Sequence, residues 1–151
     1  MDIVVDDLTG REIALFLEEH AAGMRAVTPP GSVHTLDLDG LRIPQVTFWT
    51  VRDERAPVGC GAIKRLDERH GEIKSMRVAS THRRAGVASL LLDHLVREAR
   101  RMGLSRLSLE TGSFAFFAPA RQLYLKHGFT FRGPFGDYRA DPNSVFMTKT
   151  L

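Results

Sequence analysis

A chain of 151 residues, 43% apolar and 26% charged, has room for one complete hydrophobic core and too little for two ordinary ones; its scattered aromatic and β-branched residues exclude wholesale disorder. The single cysteine, Cys60, excludes an intramolecular disulfide and a thiolate metal cluster, and a reducing cytoplasm fits. The net charge of +3 is mildly basic, but many arginines gather between Arg77 and Arg106, a concentration that suits a small polyanion at least as well as a nucleic acid. One domain over residues 1–151 is expected.

The N-terminus, Met1-Asp2-Ile3-Val4-Val5-Asp6-Asp7, is acidic where a secretory signal is basic, and no apolar run approaches membrane-spanning length. Ile3 to Val5 reads as a short strand. A helix from about Leu8 to His20 follows, with Asp6, Asp7 and Thr9 as cap candidates and Ile13, Leu15, Phe16 and Leu17 on one broad face. From Met24 to Leu41, Pro29-Pro30-Gly31 and alternating Leu and Asp give no period, so a connection with one helical turn is expected there.

Val46 to Arg52, Val58 to Leu66 and Glu72 to Val78 read as three strands of an antiparallel meander. The third breaks the rule of two. Successive strand side chains alternate faces, so Ile73, Met76 and Val78 share a face only if one extra residue bulges near Lys74-Ser75. A bulge leaves backbone groups unpaired and bends the strand.

Arg83-Arg84-Ala85-Gly86-Val87-Ala88 then opens an amphipathic helix from Val87 to Met102, with Gly103 just past its end. Val87, Ala88, Leu90, Leu91, Leu95, Ala99 and Met102 form its predicted buried stripe; Asp93, Arg97, Arg100 and Arg101 face out. Backbone N–H groups at such a helix start lack intrahelical partners, and with the dipole and two arginines they form an anion cradle suited to a pyrophosphate. Leu107 and Leu109 alternate with Arg106 and Ser108 in a strand expected to run parallel to the bulged one, since a helix separates the two. A parallel pair with one bent member can splay and admit an extended arm that pairs with backbone.

Gly112 to Ala118 reads as a loop, Pro119 opens a helix that Gly128 closes, and Phe129 to Arg132 and Ser144 to Lys149 form a terminal hairpin with a long turn-rich connection.

Two stretches carry a family likeness. Arg83-x-x-Gly86-x-Ala88 after Val78 resembles the acyl-CoA pyrophosphate loop of the GNAT N-acetyltransferases. Ala120-x-x-Leu123-Tyr124-x-x-x-Gly128-Phe129 resembles the later helix and strand of that superfamily. Together they span roughly Pro57 to Phe129, in the right order; the first third of the chain is not distinctive.

The resemblance implies an α/β (α+β) fold: a mixed, mostly antiparallel sheet, splayed at its one parallel strand pair and flanked by helices. It implies acetyl-CoA as cosubstrate, held by Met76, Arg77 and Val78 on the bulged strand, by Arg83, Arg84, Ala85, Gly86, Val87, Ala88 and Ser89 at the loop and helix start, and by Thr111 and Ala120. The acceptor would be a primary amine of a small molecule, peptide or protein, attacking the thioester directly in a ternary complex, and a homodimer is compatible. The alternative is the same fold as a non-catalytic acyl-CoA-binding module.

An alkylamine has a solution pKa of about 10, so a group must accept its proton. Glu72, which begins the bulged strand, is the first candidate, and many GNAT enzymes carry a glutamate there; a structural carboxylate pairing Lys74 or Arg77 is the equal alternative. Glu110 is the second candidate base. An unpaired N–H between Met76 and Val78 would meet the oxyanion. Tyr124 matches the family tyrosine placed to protonate the CoA thiolate, against the reading of a core tyrosine.

One departure from the family pattern is Phe117, where an asparagine often stands seven residues before the tyrosine. It offers either an apolar wall or a plug under the loop. Trp49 is expected to pack on the sheet, with it or Phe48 available to the acceptor pocket. Cys60, between two glycines, is expected to be inert. The six histidines show no ligand spacing, so no metal is expected. No recognition helix, no strand of interleaved aromatic and basic residues and no P-loop lysine is present, so neither nucleic acid nor a membrane is an expected partner.

Overall fold

A computed structural model describes residues 1–34, 37–83 and 86–151. The elements follow in the order β1 (Asp2–Val5), α1 (Arg11–Val27), α2 (Leu38–Leu41), β2 (Val46–Asp53), β3 (Ala56–Arg65), β4 (His70–Val78), α3 (Val87–Arg101), β5 (Arg106–Gly112), α4 (Ala118–Lys126), β6 (Thr130–Arg132) and β7 (Ser144–Thr150). Single 3₁₀ turns at Pro30–Ser32, Ser80–His82 and Ala115–Phe117 punctuate the connections.

Among the described residues, seven strands form one sheet in the order β1-β2-β3-β4-β5-β7-β6. All neighbours are antiparallel except β4 and β5, where the α3 crossover returns the chain in the same direction. Alternation along the strands feeds two cores. Trp49 goes to the α3 face with Leu91, Leu95, Leu107 and Met147, and Tyr124 and Phe129 join there. Phe48 goes to the opposite face with Cys60, Ala62 and, from α1, Ile13, Phe16 and Leu17. Both aromatics of β2 are therefore core residues.

Two helices differ from their predicted course. Asp6 and Asp7 do not cap α1; Asp6 accepts from Leu8 N (2.8 Å) and Asp7 from Thr9 N (3.1 Å), which closes tight turns upstream. Helix α1 starts at Arg11 with Gly10 as an N-cap lacking any side-chain bond, and it runs past His20 to Val27. Nothing stops it earlier; at Thr28, the residue before Pro29, the backbone turns extended (φ −127°, ψ 134°) as the proline requires. On α3, Leu92 and Val96 are buried and Leu90 is 42% exposed, so the apolar stripe lies one residue round from the predicted one. Each of its buried leucines contributes about 1.5–3 kcal/mol by leaving water.

The third meander strand contains the predicted bulge. Cys60 pairs with Arg77 and Ala62 with Lys74, so Gly61 alone stands opposite Ser75 and Met76. Ser75 takes a left-handed backbone, φ 54°. The extra residue restores the facing: Ile73, Met76 and Val78 all pack on the α3-side core, while Lys74 and Arg77 reach the other side, to His34 and Phe16.

Candidate functional site

Strands β4 and β5 pair only at His70–Arg106, Gly71–Leu107 and Glu72–Ser108. Beyond Glu72 the bulge bends β4 away, and β5 stays with β7 through Gly112–Ser144. The sheet opens into a V. A cavity of about 580 Å³ fills it, lined by β4 from Glu72 to Val78, by Glu110 and Thr111 of β5, by α4 and by the inner face of α1.

At one mouth lies the start of α3. Gly86 is its N-cap in left-handed geometry (φ 79°, ψ 3°), the conformation that favours glycine, and a Cβ there would meet nothing within 4 Å. Arg83 and Ala88, on either side of this turn, line the adjoining cavity. Val87 turns into the core, and Gly86, Val87 and Ser89 do not line the cavity. Arg84 and Ala85 lie outside the described residues.

Phe117, expected as either an apolar wall or a plug under the loop, lines the cavity and is also packed beneath the loop. Phe117 is buried and Phe116 is 56% exposed, the rings meeting edge to face at 5.0 Å. Phe117 sits so close to Gly112 that a Cβ there would fall 2.1 Å from its ring, so only glycine fits at the end of β5. Arg121 of α4 donates to Gly112 O (2.7 Å) and Phe114 O (2.9 Å), fixing the loop that carries the wall.

Tyr124 is buried beneath the V, its hydroxyl 3.6 Å from Met76 Sδ and its ring against Phe129. Burial raises its pKa well above the usual phenol value, so it is a proton donor in its resting form. Cys60 lies below the bulge, donates to Ser75 O (3.1 Å), and burial pushes its thiol up to about 12; its inertness follows.

Opposite Tyr124 is a polar cluster. Glu72 is buried, 3.4 Å from Lys74 Nζ, and accepts from Tyr138 Oη at 2.5 Å. Lys74 also donates to Tyr138 Oη (3.0 Å) and His34 O (3.1 Å). Burial, then the Glu72 carboxylate, keep the Tyr138 phenol protonated. Glu110 is different: burial raises its carboxyl to about 7, near the point of half-ionisation at neutral pH. His20 of α1 also lines the cavity; burial, with Arg77 nearby, lowers it to about 4, so it is neutral. The Arg77 guanidinium is held by α1, donating to Phe16 O (2.9 Å) and lying 4.7 Å over the Phe16 ring.

Of the residues singled out by sequence, Glu72, Met76, Arg77, Val78, Arg83, Ala88, Thr111, Ala120 and Tyr124 thus meet in one cavity, with Glu110 among them. Tyr138, His34 and His20 were not singled out. They come from irregular connections or from the part of α1 that no motif marks, and only the Gly133 to Asp137 stretch beside Tyr138 carries any signal, for a turn. Among the described residues no three His, Cys, Asp or Glu side chains are grouped to hold a metal ion, and no helix is long and apolar enough to cross a membrane.

Comparison with known proteins agrees with this geometry. Residues 13–129 match the acetyltransferase (GNAT) family. The chain is 53% identical, over the full length of both, to the uncharacterized N-acetyltransferase YsnE of Bacillus subtilis. It is 41% identical to the IAA acetyltransferase of Azospirillum brasilense, covering 92% of this chain and 90% of that protein. Its fold matches that of a GNAT family acetyltransferase from Elizabethkingia anophelis with acetyl-CoA bound (TM-score 0.71, 18% identity, 99% and 97% coverage). The opened parallel pair, the glycine-capped helix at its mouth and the matched length together place the chain in the GNAT family, as an acetyl-CoA-dependent N-acetyltransferase.

Proposed function

We propose that the enzyme acetylates a primary amine of a small molecule or peptide by direct attack on the thioester, with Glu110 as general base and Tyr124 as general acid. The observation that carries this reading is the V between β4 and β5, which exposes the β4 edge beyond Glu72 to an extended pantetheine arm and brings Glu110 and Tyr124 to the same cavity. Arg83 and the first-turn amides of α3 take the pyrophosphate, and Met76, Val78 and Ala120 line the arm.

The chemistry follows from the two proton affinities. A carboxylate whose pKa is raised to about 7 is half ionised at neutral pH and a stronger base than an ordinary carboxylate, so it can take the proton that becomes acidic as the amine nitrogen attacks. The amine nitrogen forms a bond to the acetyl carbon, a backbone N–H between Met76 and Val78, beside the bulge, meets the oxyanion, and the carbon–sulfur bond breaks. Tyr124, held protonated by burial, gives its proton to the departing thiolate, and the amine's proton goes to Glu110. Glu72 is the weaker candidate for base, because Lys74 and Tyr138 already engage it.

Release of CoA thiol from acetyl-CoA, followed with ethanolamine, tyramine, spermidine and a lysine-containing peptide, tests the reading. Amine-dependent release that Glu110→Gln nearly abolishes supports it. Release that survives Glu110→Gln but is lost in Glu72→Gln would move the base to Glu72.

A further inference from the structure

The acceptor side of the cavity is made by two connections that no sheet pairing joins. The first, through the Pro30–Ser32 turn to His34, has little core of its own. The second, from Gly133 to Asn143, is bolted to the sheet by aromatics: Phe135 and Tyr138 pack on each other (5.1 Å) and both on Phe146 of β7 (5.9 and 5.4 Å). Its far end is tied to β5, with Ser113 N donating to Asn143 O (3.1 Å) and Ser113 Oγ to Pro142 O (2.8 Å).

The first connection hangs on the second at two points. Buried Ser32 donates to Asp141 Oδ2 (2.5 Å) and accepts from Asn143 Nδ2 (3.2 Å). Two residues on, the His34 ring meets the Tyr138 ring edge to face at 5.0 Å, and the His34 carbonyl accepts from the same Lys74 that donates to Tyr138 Oη. Tyr138 therefore touches both ends of the problem. Its ring supports the wall, and its hydroxyl fixes Glu72 and Lys74 on the cavity floor.

We infer that Tyr138 is a positioning residue for the acceptor: by holding His34, Lys74 and Glu72 in one arrangement, with the Ser32–Asp141–Asn143 latch behind them, it sets the wall against which the amine is aimed. The inference rests on the acetyl-transfer reading above for the identity of what is aimed. A site so built separates its two ligands, because among the described residues Tyr138 and the latch share no hydrogen bond or ring contact with Arg83 or α3. Tightening this wall improves acceptor binding and orientation and leaves CoA untouched.

The test uses Tyr138→Phe, which keeps the aromatic packing and removes only the hydroxyl, and Ser32→Ala, which opens the latch without touching the cavity floor. Three quantities are read: amide hydrogen exchange over residues 28–34, the Kd for CoA by calorimetry, and kcat and KM for the best of the four probe amines. Each variant loses two hydrogen bonds, one of them to a carboxylate, which together correspond to an effect of at least about tenfold. Both variants are therefore expected to speed exchange over 28–34 and raise the amine KM by about that factor. The CoA Kd should stay within about twofold and kcat within about threefold.

Unchanged exchange in both variants overturns the inference. So does a CoA Kd that weakens in step with the amine KM, or a raised KM in Tyr138→Phe alone, which would make the hydroxyl a direct acceptor ligand. If the wild type bound no CoA, the acetyl-transfer reading would fail while hydrogen exchange still reported on the latch.

Discussion

The two halves of the cavity, proposed above to hold cosubstrate and acceptor, are made by different means. The cosubstrate half comes from consecutive elements, β4, α3, β5 and α4, and its features are backbone features: a bulge at Ser75, a left-handed glycine at Gly86, a strand pair that stops at Glu72–Ser108. The acceptor half is assembled from side chains of segments far apart in the chain, as in Ser32 with Asp141 or Lys74 with Tyr138. Backbone geometry of the first kind tolerates many side chains and suits a ligand common to a whole family. Side-chain bonds of the second kind change with single substitutions, which suits a ligand that differs from enzyme to enzyme.

The largest effect is expected where the halves meet. Glu110→Gln should lower kcat by about a hundredfold at pH 8, the scale of a lost general base, with the CoA Kd unchanged. The pH sign is specific. With a carboxyl raised to about 7, the wild-type rate climbs as pH rises through 7, and the variant lacks that limb, so the two converge below pH 6. Linkage adds a second reading: the native state holds this proton longer than the unfolded chain, so wild-type stability falls as pH rises from about 4.5 to 7. The variant's Tm should then exceed the wild type's at pH 8 and match it near pH 4. A CoA Kd that rises as kcat falls would erase the division between the halves.

Next in size is the wall. Gly112→Ala places a methyl group 2.1 Å from the Phe117 ring, which must move, at a cost of about 1–3 kcal/mol for overpacking. Thermal unfolding and CoA calorimetry should both register it, because Phe117 lines the cosubstrate half. A variant as stable as wild type would mean that the ring has somewhere else to go.

Legibility in the sequence divides along the same line. The bulge could be read because Ile73, Met76 and Val78 break the alternation of a strand, and the loop because Arg83, Gly86 and Ala88 sit where a helix must begin. Tyr138 could not, since its meaning lies in partners 64 and 66 residues away, Lys74 and Glu72, and no local pattern marks such a contact. The alternatives left at Glu72 came from the same source: its pairing with Lys74 follows from neighbouring positions on β4, but its bond to Tyr138 depends on how a turn-rich connection folds back. Helix α1 was read seven residues short because the apolar period is lost after His20, whereas its true end is set by Pro29.

A smaller effect is expected at the mouth. Arg83→Ala should weaken CoA by about fivefold, the scale of an exposed ion pair, and leave the amine KM alone. Raising the salt concentration should shrink the difference between the two proteins, and desulfo-CoA, which keeps the phosphates, should show the same loss as CoA. A loss seen with CoA but not with desulfo-CoA would place Arg83 at the thiol end instead.

The smallest effect sharpens the comparison from beneath. Cys60 is fully buried under the bulge and its thiol is pushed up to about 12, so at pH 8 almost none of it is thiolate and no reagent reaches it. Labelling with a disulfide reagent should therefore proceed only as fast as α1 lifts from this face of β3 and the bulge opens. Because the Cys60 thiol donates to Ser75 O, the bulge is part of what must move. Bound CoA, lying along the far edge of β4, should slow labelling in proportion to its occupancy, while an acceptor amine alone should leave it unchanged. Protection by the amine instead would show that the acceptor half also holds the bulge closed, and the division drawn between backbone and side-chain halves would then fail at Ser75.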